Sequence, residues 1–437
     1  MSDIPRKAVT RAAKLAALPV GYAGRAAWGL GRRVGGAPAE AVAAELQART
    51  AQQLFATLGE LKGGAMKFGQ AMSIFESALP EEIAGPYRAT LTKLQDSAPP
   101  LPPDRVHAVL TQELGPRWRR RFASFDDTPV AAASIGQVHR AVWRDGRVVA
   151  VKVQYPGAGK ALMGDLQQIS RVARVATSWI PGIEVKPILD ELRERMKEEL
   201  DYRIEANHQE TFAAAYDGDP QVHIPHVVHG TEHVIVSEWL DGDPLSRVIA
   251  SGSKAERDLA AGRYMDFLLS GPGRAGVLHA DPHPGNFRMT PQGRLGVMDF
   301  GACNRLPDGL PPEMGDLVTL AVTGEAAKVL DRLREIGFVR STIDIDPDRL
   351  LEYLEPFLDP LAGPEFTFSR AWLREVFAHI NDPRRPNYTV GMKLNLPPDY
   401  LLIHRVWLGG IGVLCQIGGT VRGRDAVNAH FPGAALP

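Results

Sequence analysis

HADPHPGN, residues 279–286, is the stretch whose reading decides this chain. His279, Asp281 and Asn286 stand in it at H-x-D-x-x-x-x-N spacing, which holds a candidate base and a metal-ligating amide on one loop. Downstream, VMDFG at 297–301 ends a short apolar run, Leu295, Val297 and Met298, so a strand would deliver the Asp299 carboxylate beside that loop. Upstream, VVAVK at 148–152 is an apolar run that ends on Lys152. In this order the chain supplies a lysine for the α- and β-phosphates, an aspartate near the nucleophile, and an amide and a carboxylate for Mg²⁺.

The chemistry of ATP-dependent phosphoryl transfer explains these residue types. Negative charge is spread over the γ-phosphoryl group in a loose transition state, so a protein positions and neutralises it rather than attacking it covalently. Each segment alone has a plainer reading. VAVK suits a buried strand, HADPHPGN suits a Pro/Gly turn with exposed histidines, and DFG is a common tripeptide. Their conjunction, in order and on a strand, a loop and a strand, is what points to ATP and Mg²⁺ as cofactors.

Length and charge narrow the surroundings. A chain of 437 residues exceeds one small core and fits several compact units. Formal net charge is −1 with 23% charged residues, which gives no polyelectrolyte signal, so nucleic acid is not an expected partner. Cys303 and Cys415 are the only cysteines and lie far apart in sequence, so neither a disulfide framework nor a cysteine-based zinc site is supported. The most apolar stretch, 400–420, is interrupted by His404 and Arg405 and reads as buried helix rather than a membrane span.

Residues 1–36 carry seven Lys or Arg against one acid, Asp3, with Leu15, Leu18, Trp28 and Leu30 among them. That composition suits a flexible basic tail, a peripheral arm drawn to an anionic membrane surface, or an organellar transit segment. The expected location is cytoplasmic and peripheral at the inner face of a membrane, with organellar import as the other possibility.

The expected architecture is α+β and two-lobed. Residues 1–40 form the basic arm, and 41–104 a helical extension with leucines at 46, 54, 58 and 61 and a break at Gly63-Gly64. The proline-rich SAPPLPPD at 97–104 joins it to a strand-containing lobe, 105–240. That lobe should hold a helix at 105–121, strands near 137–144 and 147–154 joined at Asp145-Gly146, and a strand at 233–242. A long helix at 187–215 is expected from Ile188, Leu192, Met196, Leu200 and Ile204. A helical lobe, 241–437, follows, with helices near 255–271, 312–323, 325–337, 348–358, 369–381 and 398–417.

Further segments make the pattern specific. KFGQ at 67–70, AAAS at 131–134, the E-L-D of 199–201 within EELDYRIEAN, HADPHPGN and DFG together resemble the signature set of the ABC1/UbiB (AarF/ADCK) atypical kinase family. The resemblance runs from about Gly63 to Arg305 in family order and continues more weakly to the C-terminus. It implies a protein kinase-like fold in which Ala131, Ala132, Ala133 and Ser134 replace the usual Gly-rich loop over the phosphates. It also implies that Lys67 and Gln70 sit on a helix across the active site, that Glu199 and Asp201 support that lysine, and that Glu205 orients Lys152. Glu238 and Leu240 correspond to the segment joining the lobes, where adenine binds. No A-P-E motif follows Gly301, so a peptide-docking platform is not expected.

The resemblance further implies isoprenoid-quinone or other lipid biosynthesis at a membrane, with quinone or lipid precursors and lipid-biosynthesis enzymes as partners. Two other functions stay open at this stage. HADPHPGN also resembles the loops of aminoglycoside and choline kinases, small-molecule phosphotransferases. A nucleotide-gated scaffold without turnover would use most of the same ligands.

Overall fold

The computed structural model describes residues 100–133, 135–159, 163, 198, 200–382, 384, 385 and 388–437. The basic arm, nearly all of the helical extension, Lys67, Gln70, Ser134, Glu199 and most of the first half of the expected 187–215 helix lie outside them.

The strand-rich part begins with helix α1, Pro103–Leu114, in which Pro103 opens the helix where its missing N–H costs nothing. A 3₁₀ turn at Trp118–Arg121 follows, so the expected helix at 105–121 ends earlier, at Gly115, whose φ is 87°. Strands β1 (Phe122–Ala133), β2 (Gly136–Trp143), β3 (Val148–Gln154), β5 (Val227–Gly230) and β6 (Val234–Glu238) form an antiparallel sheet in the order β1-β2-β3-β6-β5. Alternate side chains of β2 and β3, among them Ala141, Trp143, Val149, Val151 and Val153, face α1 and close a core with Val106, Leu110 and Trp118. The β2–β3 connection closes through Trp143 N–H to the Arg147 carbonyl at 2.8 Å, with Gly146 at φ 92° in the position that requires it.

Two expectations are corrected here. AAAS was expected as a loop, but Ala131, Ala132 and Ala133 end β1 and pair with Val138, Gln137 and Gly136. Strand β2 begins three positions after Ala133, at Gly136. The helix expected over 187–215 is not continuous: Asp201 is extended (φ −111°, ψ 97°) and caps helix α2, Tyr202–Ala215, by accepting the Arg203 N–H. Asp201 and Glu205 therefore do not share a helix face, because Asp201 precedes the helix.

Helix α4, Lys254–Ala275, is the axis of the helical part, which also holds α3, Leu245–Ser251. A reciprocal capping box between Ser253 and Glu256 starts α4, and left-handed Gly276 ends it. Tyr264, Phe267 and Leu268 on α4 enter one core with Phe212 of α2, Phe287 and Phe300. Short strands complete this part: β8 (Val277–His279) pairs with β11 (Cys303–Arg305), and β9 (Phe287–Met289) pairs with β10 (Leu295–Val297), which also pairs with β4 (Val222–His223). Strand β7, Asp243–Pro244, extends that sheet.

Helices α5 (Glu313–Val322), α6 (Ala326–Glu335) and α7 (Pro347–Ala362) form a second core around Val329, Leu333 and Leu350. The chain then runs through β12 (Phe366–Thr367), α8 (Arg370–Asn381), α9 (Tyr388–Lys393), α10 (Pro398–Ile417), β13 (Thr420–Val421) and α11 (Gly423–His430). The helices expected near 312–323, 325–337, 369–381 and 398–417 lie at these positions. Among the described residues, no helix is long and apolar enough to cross a membrane.

Candidate active site

Lys152 stands on β3, opposite Val138 on β2 and Ile235 on β6. Its Nζ donates to both Glu205 carboxylate oxygens, at 2.7 and 2.9 Å, and lies 3.6 Å from Asp299 Oδ2. Burial alone would pull the lysine pKa down, but the facing Asp299 and Glu205 carboxylates outweigh it and hold the ammonium well above its ordinary value. Lys152 is therefore charged at every physiological pH. The Tyr202 ring, one helical turn before Glu205, lies 5.1 Å from Nζ and adds a cation–π contact. Tyr202 was not foreseen, although its place three residues before Glu205 puts both on one face of α2.

The β-hairpin roof is set by close approach. A side chain at Gly136 would sit against the Val153 carbonyl oxygen and within 2.8 Å of the Tyr202 hydroxyl. Only glycine lets β2 lie this near β3 above α2.

The loop 279–286 is built by local hydrogen bonds around Asp281. Asn286 Nδ2 donates to the Asp281 carbonyl at 3.2 Å, and the His283 N–H donates to Asp281 Oδ1 at 3.3 Å. Tyr264 on α4 supports the turn by donating its hydroxyl to the Pro282 carbonyl at 2.6 Å. Burial, and then the Asp281 carboxylate, push the Tyr264 phenol well above its ordinary pKa, so it is a fixed donor. With its amide nitrogen committed to the Asp281 carbonyl, Asn286 keeps its amide oxygen as the end for a cation.

Asp299 is joined to this loop through the backbone. His279 Nε2 donates to the Asp299 carbonyl at 3.0 Å, and the Met298 N–H donates to the Asn286 carbonyl at 2.8 Å. The His279 ring is buried within the aromatic core, packed on Phe212, Phe267, Phe287 and Phe300, and this desolvation lowers its pKa. Asp299 has φ 61°, the one positive value outside glycine among the described residues. That conformation is costly for an L-residue but least so for Asp and Asn, and Gly301 N–H donating to Asp299 Oδ1 at 3.2 Å helps hold it. The turn aims a carboxylate that is 37% exposed toward Lys152, whereas Glu205 is 7% exposed.

The donor set fits Mg²⁺. An Asn oxygen and an Asp carboxylate are hard ligands, and Mg²⁺ takes few protein ligands and completes its shell with phosphates and water. A self-sufficient protein cage is not what such a site needs, and no cluster of three His, Cys, Asp or Glu able to hold a metal occurs among the described residues.

The other expected positions fall as follows. Ala131, Ala132 and Ala133 lie on the same sheet as Lys152, two strands away. Glu238 pairs with Arg147 at 3.2 Å, and its N–H donates to the His226 carbonyl. The strand expected over 233–242 ends at Glu238, and Leu240 beyond it is buried against Gly296. Asp201 is paired with Arg203 at 2.7 Å, an ion pair that lowers its pKa. After Asp299, β11 leads through Leu306–Pro312 directly into α5.

Residues 93–333 match the ABC1 atypical kinase-like domain. The chain belongs to the ABC1 atypical kinase-like family. It is 30% identical over 354 residues to the atypical kinase coq-8, mitochondrial, of Caenorhabditis elegans, covering 77% of this chain and 46% of that protein. It is 27% identical over 377 residues to the atypical kinase COQ8, mitochondrial, of Saccharomyces cerevisiae, covering 83% and 72%. The solved structure of Rv3197 from Mycobacterium tuberculosis, in complex with erythromycin, superposes with a TM-score of 0.72 at 41% identity, covering 92% of this chain and all of that one. The chain spans about half the length of the first curated relatives it matches. The ABC1 fold is thus kinase-like, with the strand-rich part first and the helical part second.

Proposed function

We propose that this ABC1-family chain binds MgATP in the cleft between its strand-rich and helical parts and uses it for phosphoryl transfer or ATP hydrolysis. The observation that carries the reading is the buried Lys152–Glu205 pair facing Asp299. A lysine fixed by a helix glutamate beside an aspartate on the opposite side is the arrangement kinase chemistry needs.

In this reading Lys152 binds the α- and β-phosphates, with Glu205 fixing its direction. Ala131, Ala132, Ala133 and Ser134 cover the phosphates, and the backbone from Glu238 to Leu240 receives the adenine. Asn286 and Asp299 would hold Mg²⁺, which when bound neutralises phosphate charge. Asp281 orients the attacking hydroxyl or water and accepts its proton. Lys67, Gln70, Glu199 and Asp201 gate access. The biological setting we infer is isoprenoid-quinone or lipid biosynthesis, with quinone or lipid precursors and the enzymes that handle them as partners at an anionic membrane surface. Two of the relatives' names place those proteins in mitochondria; a peripheral position at the inner face of a membrane is our reading for this chain.

A small-molecule acceptor is the second reading. The short passage from Arg305 to Glu313 favours it, since a peptide platform has no chain to build on there. The deciding experiment measures Mg²⁺-dependent ADP release by the purified chain, alone and with anionic liposomes, quinone-precursor analogues or hydroxylated small molecules, for wild type and Asp281→Asn. Turnover that needs Asp281 and rises with liposomes or precursors supports the first reading. Turnover only with one hydroxylated metabolite supports the second, and equal turnover by Asp281→Asn overturns both.

A further inference from the structure

Two buried polar side chains on β2 have no part in the site just described. Gln137 is 1% exposed and His139 is fully buried, on the sheet face that α1 covers. Their bonds form one chain with a fixed direction. His139 Nδ1 lies 2.8 Å from the Asp126 carbonyl, which can only accept, so Nδ1 carries the proton. Neutral His139 then accepts at Nε2 from Gln137 Nε2, 2.9 Å away. That orients the Gln137 amide, whose oxygen accepts the Leu101 N–H at 2.7 Å. Each of the three contacts pairs a donor with an acceptor.

The ends of this chain give it meaning. Leu101 lies in the proline-rich join through which the polypeptide arrives from residues 1–99. Gln137 stands directly opposite Ala132 in the β1–β2 register, and Val138 beside it stands opposite Lys152. We propose that Gln137 and His139 are positioning residues: they lock the arriving chain to the hairpin carrying 131–133, and the lock holds only while His139 is neutral. The inference that this positions the phosphate cover rests on the nucleotide-binding reading above; the lock itself does not.

Protonation would turn Nε2 into a donor facing the Gln137 amide nitrogen. If the amide rotates to meet it, its nitrogen then faces the Leu101 N–H, so one buried donor is orphaned either way. The surroundings of His139 are mixed. From β1 the Asp126 and Asp127 carboxylates favour its charged form, and the Phe125 ring stacks on it at 5.1 Å. From α1, His107, itself held by Asp127 at 2.6 Å and by Arg119, disfavours it. From β3 its neighbour in register is Val151. Burial is the largest influence and favours the neutral ring.

The test is amide hydrogen exchange on the full chain, corrected for intrinsic pH dependence, read at Leu101 and at Ala131–Ala133. Wild type should keep both protected at neutral pH and lose protection at both together as pH falls below the ordinary histidine range. Gln137→Met should speed Leu101 exchange by ~10-fold or more at every pH, as a lost buried hydrogen bond requires. Gln137→Glu can accept from Leu101 and from protonated His139 together, so its protection should persist to lower pH than in wild type. Unchanged protection in Gln137→Met, or a wild-type profile without the acid transition, overturns the lock. A transition at Leu101 that leaves 131–133 unmoved overturns the positioning role. Should Gln137→Met fail to fold, wild type and Gln137→Glu still decide. None of these readouts uses nucleotide, so a chain that failed to turn over ATP would sink the proposed function without touching this result.

Discussion

Lys152 and Glu205 meet through paired hydrogen bonds of 2.7 and 2.9 Å, although 53 residues separate them in the chain. Removing the lysine leaves a buried carboxylate without its cation, which costs several kcal/mol. Lys152→Met should therefore lower unfolding free energy by about 3 kcal/mol and cut Mg²⁺-dependent ADP release by ~100-fold or more. Chemical denaturation and an ADP assay check the two effects separately. Full turnover by this variant would remove Lys152 from the phosphate site.

Asp299→Asn should behave differently. Asn tolerates the left-handed backbone at this position as well as Asp does, so the fold should be kept, with Tm within about 3 °C of wild type. The metal-binding charge is lost, and with it Mg²⁺-dependent ADP release. Calorimetry and turnover on one preparation test the pair, and retained turnover would refute the assigned ligand.

Stability should fall on acidification from pH 7 to pH 5. His139, His279 and His283 are held neutral by burial, their folded pKa values lying below that of the unfolded chain. Below about pH 6.5 the unfolded chain takes up protons that the folded one refuses, so unfolding becomes easier until the folded pKa values are passed. Urea midpoints across this range measure it. A midpoint that rises toward pH 5 would show that these rings are charged in the folded protein.

Gly136→Ala should lose about 2 kcal/mol or more, since the new methyl meets the Val153 backbone and the Tyr202 hydroxyl with no flexible neighbour to yield at the backbone side. Because Tyr202 lies over Lys152, ATP affinity should fall as well. Denaturation and nucleotide titration on the variant check this; wild-type values for both would mean that the hairpin shifts freely.

Much of this arrangement is legible in the amino-acid order. HADPHPGN, VMDFG and VVAVK give the cleft residues because chemistry restricts residue type at fixed spacing. Helices α5, α6 and α8 show their apolar periodicity openly. Strand β1 does not: FASFDDTPVAAA is mostly exposed, and register shifts between Phe125, Pro129 and Ala131 break the two-residue alternation that would announce a strand. The helix break at Asp201 was hidden because Leu200 and Ile204 keep their spacing across it, while the deciding event is a local bond from Asp201 to the Arg203 N–H. The left-handed turn at Asp299 and the roof contact at Gly136 depend on which backbones approach, and no periodicity records that. KFGQ, with Lys67 and Gln70, lies outside the described residues, so its place over the cleft stays a proposal.

The brief passage from β11 into α5 bears on regulation. Between Asp299 and Thr319 the chain has no serine, threonine or tyrosine. Covalent switching by an upstream signalling enzyme, the common means of ordering this region, has no hydroxyl to act on there. Any control of this protein by phosphorylation would therefore have to act on a hydroxyl outside this passage and reach Asp299 through packing rather than through a charge placed beside it.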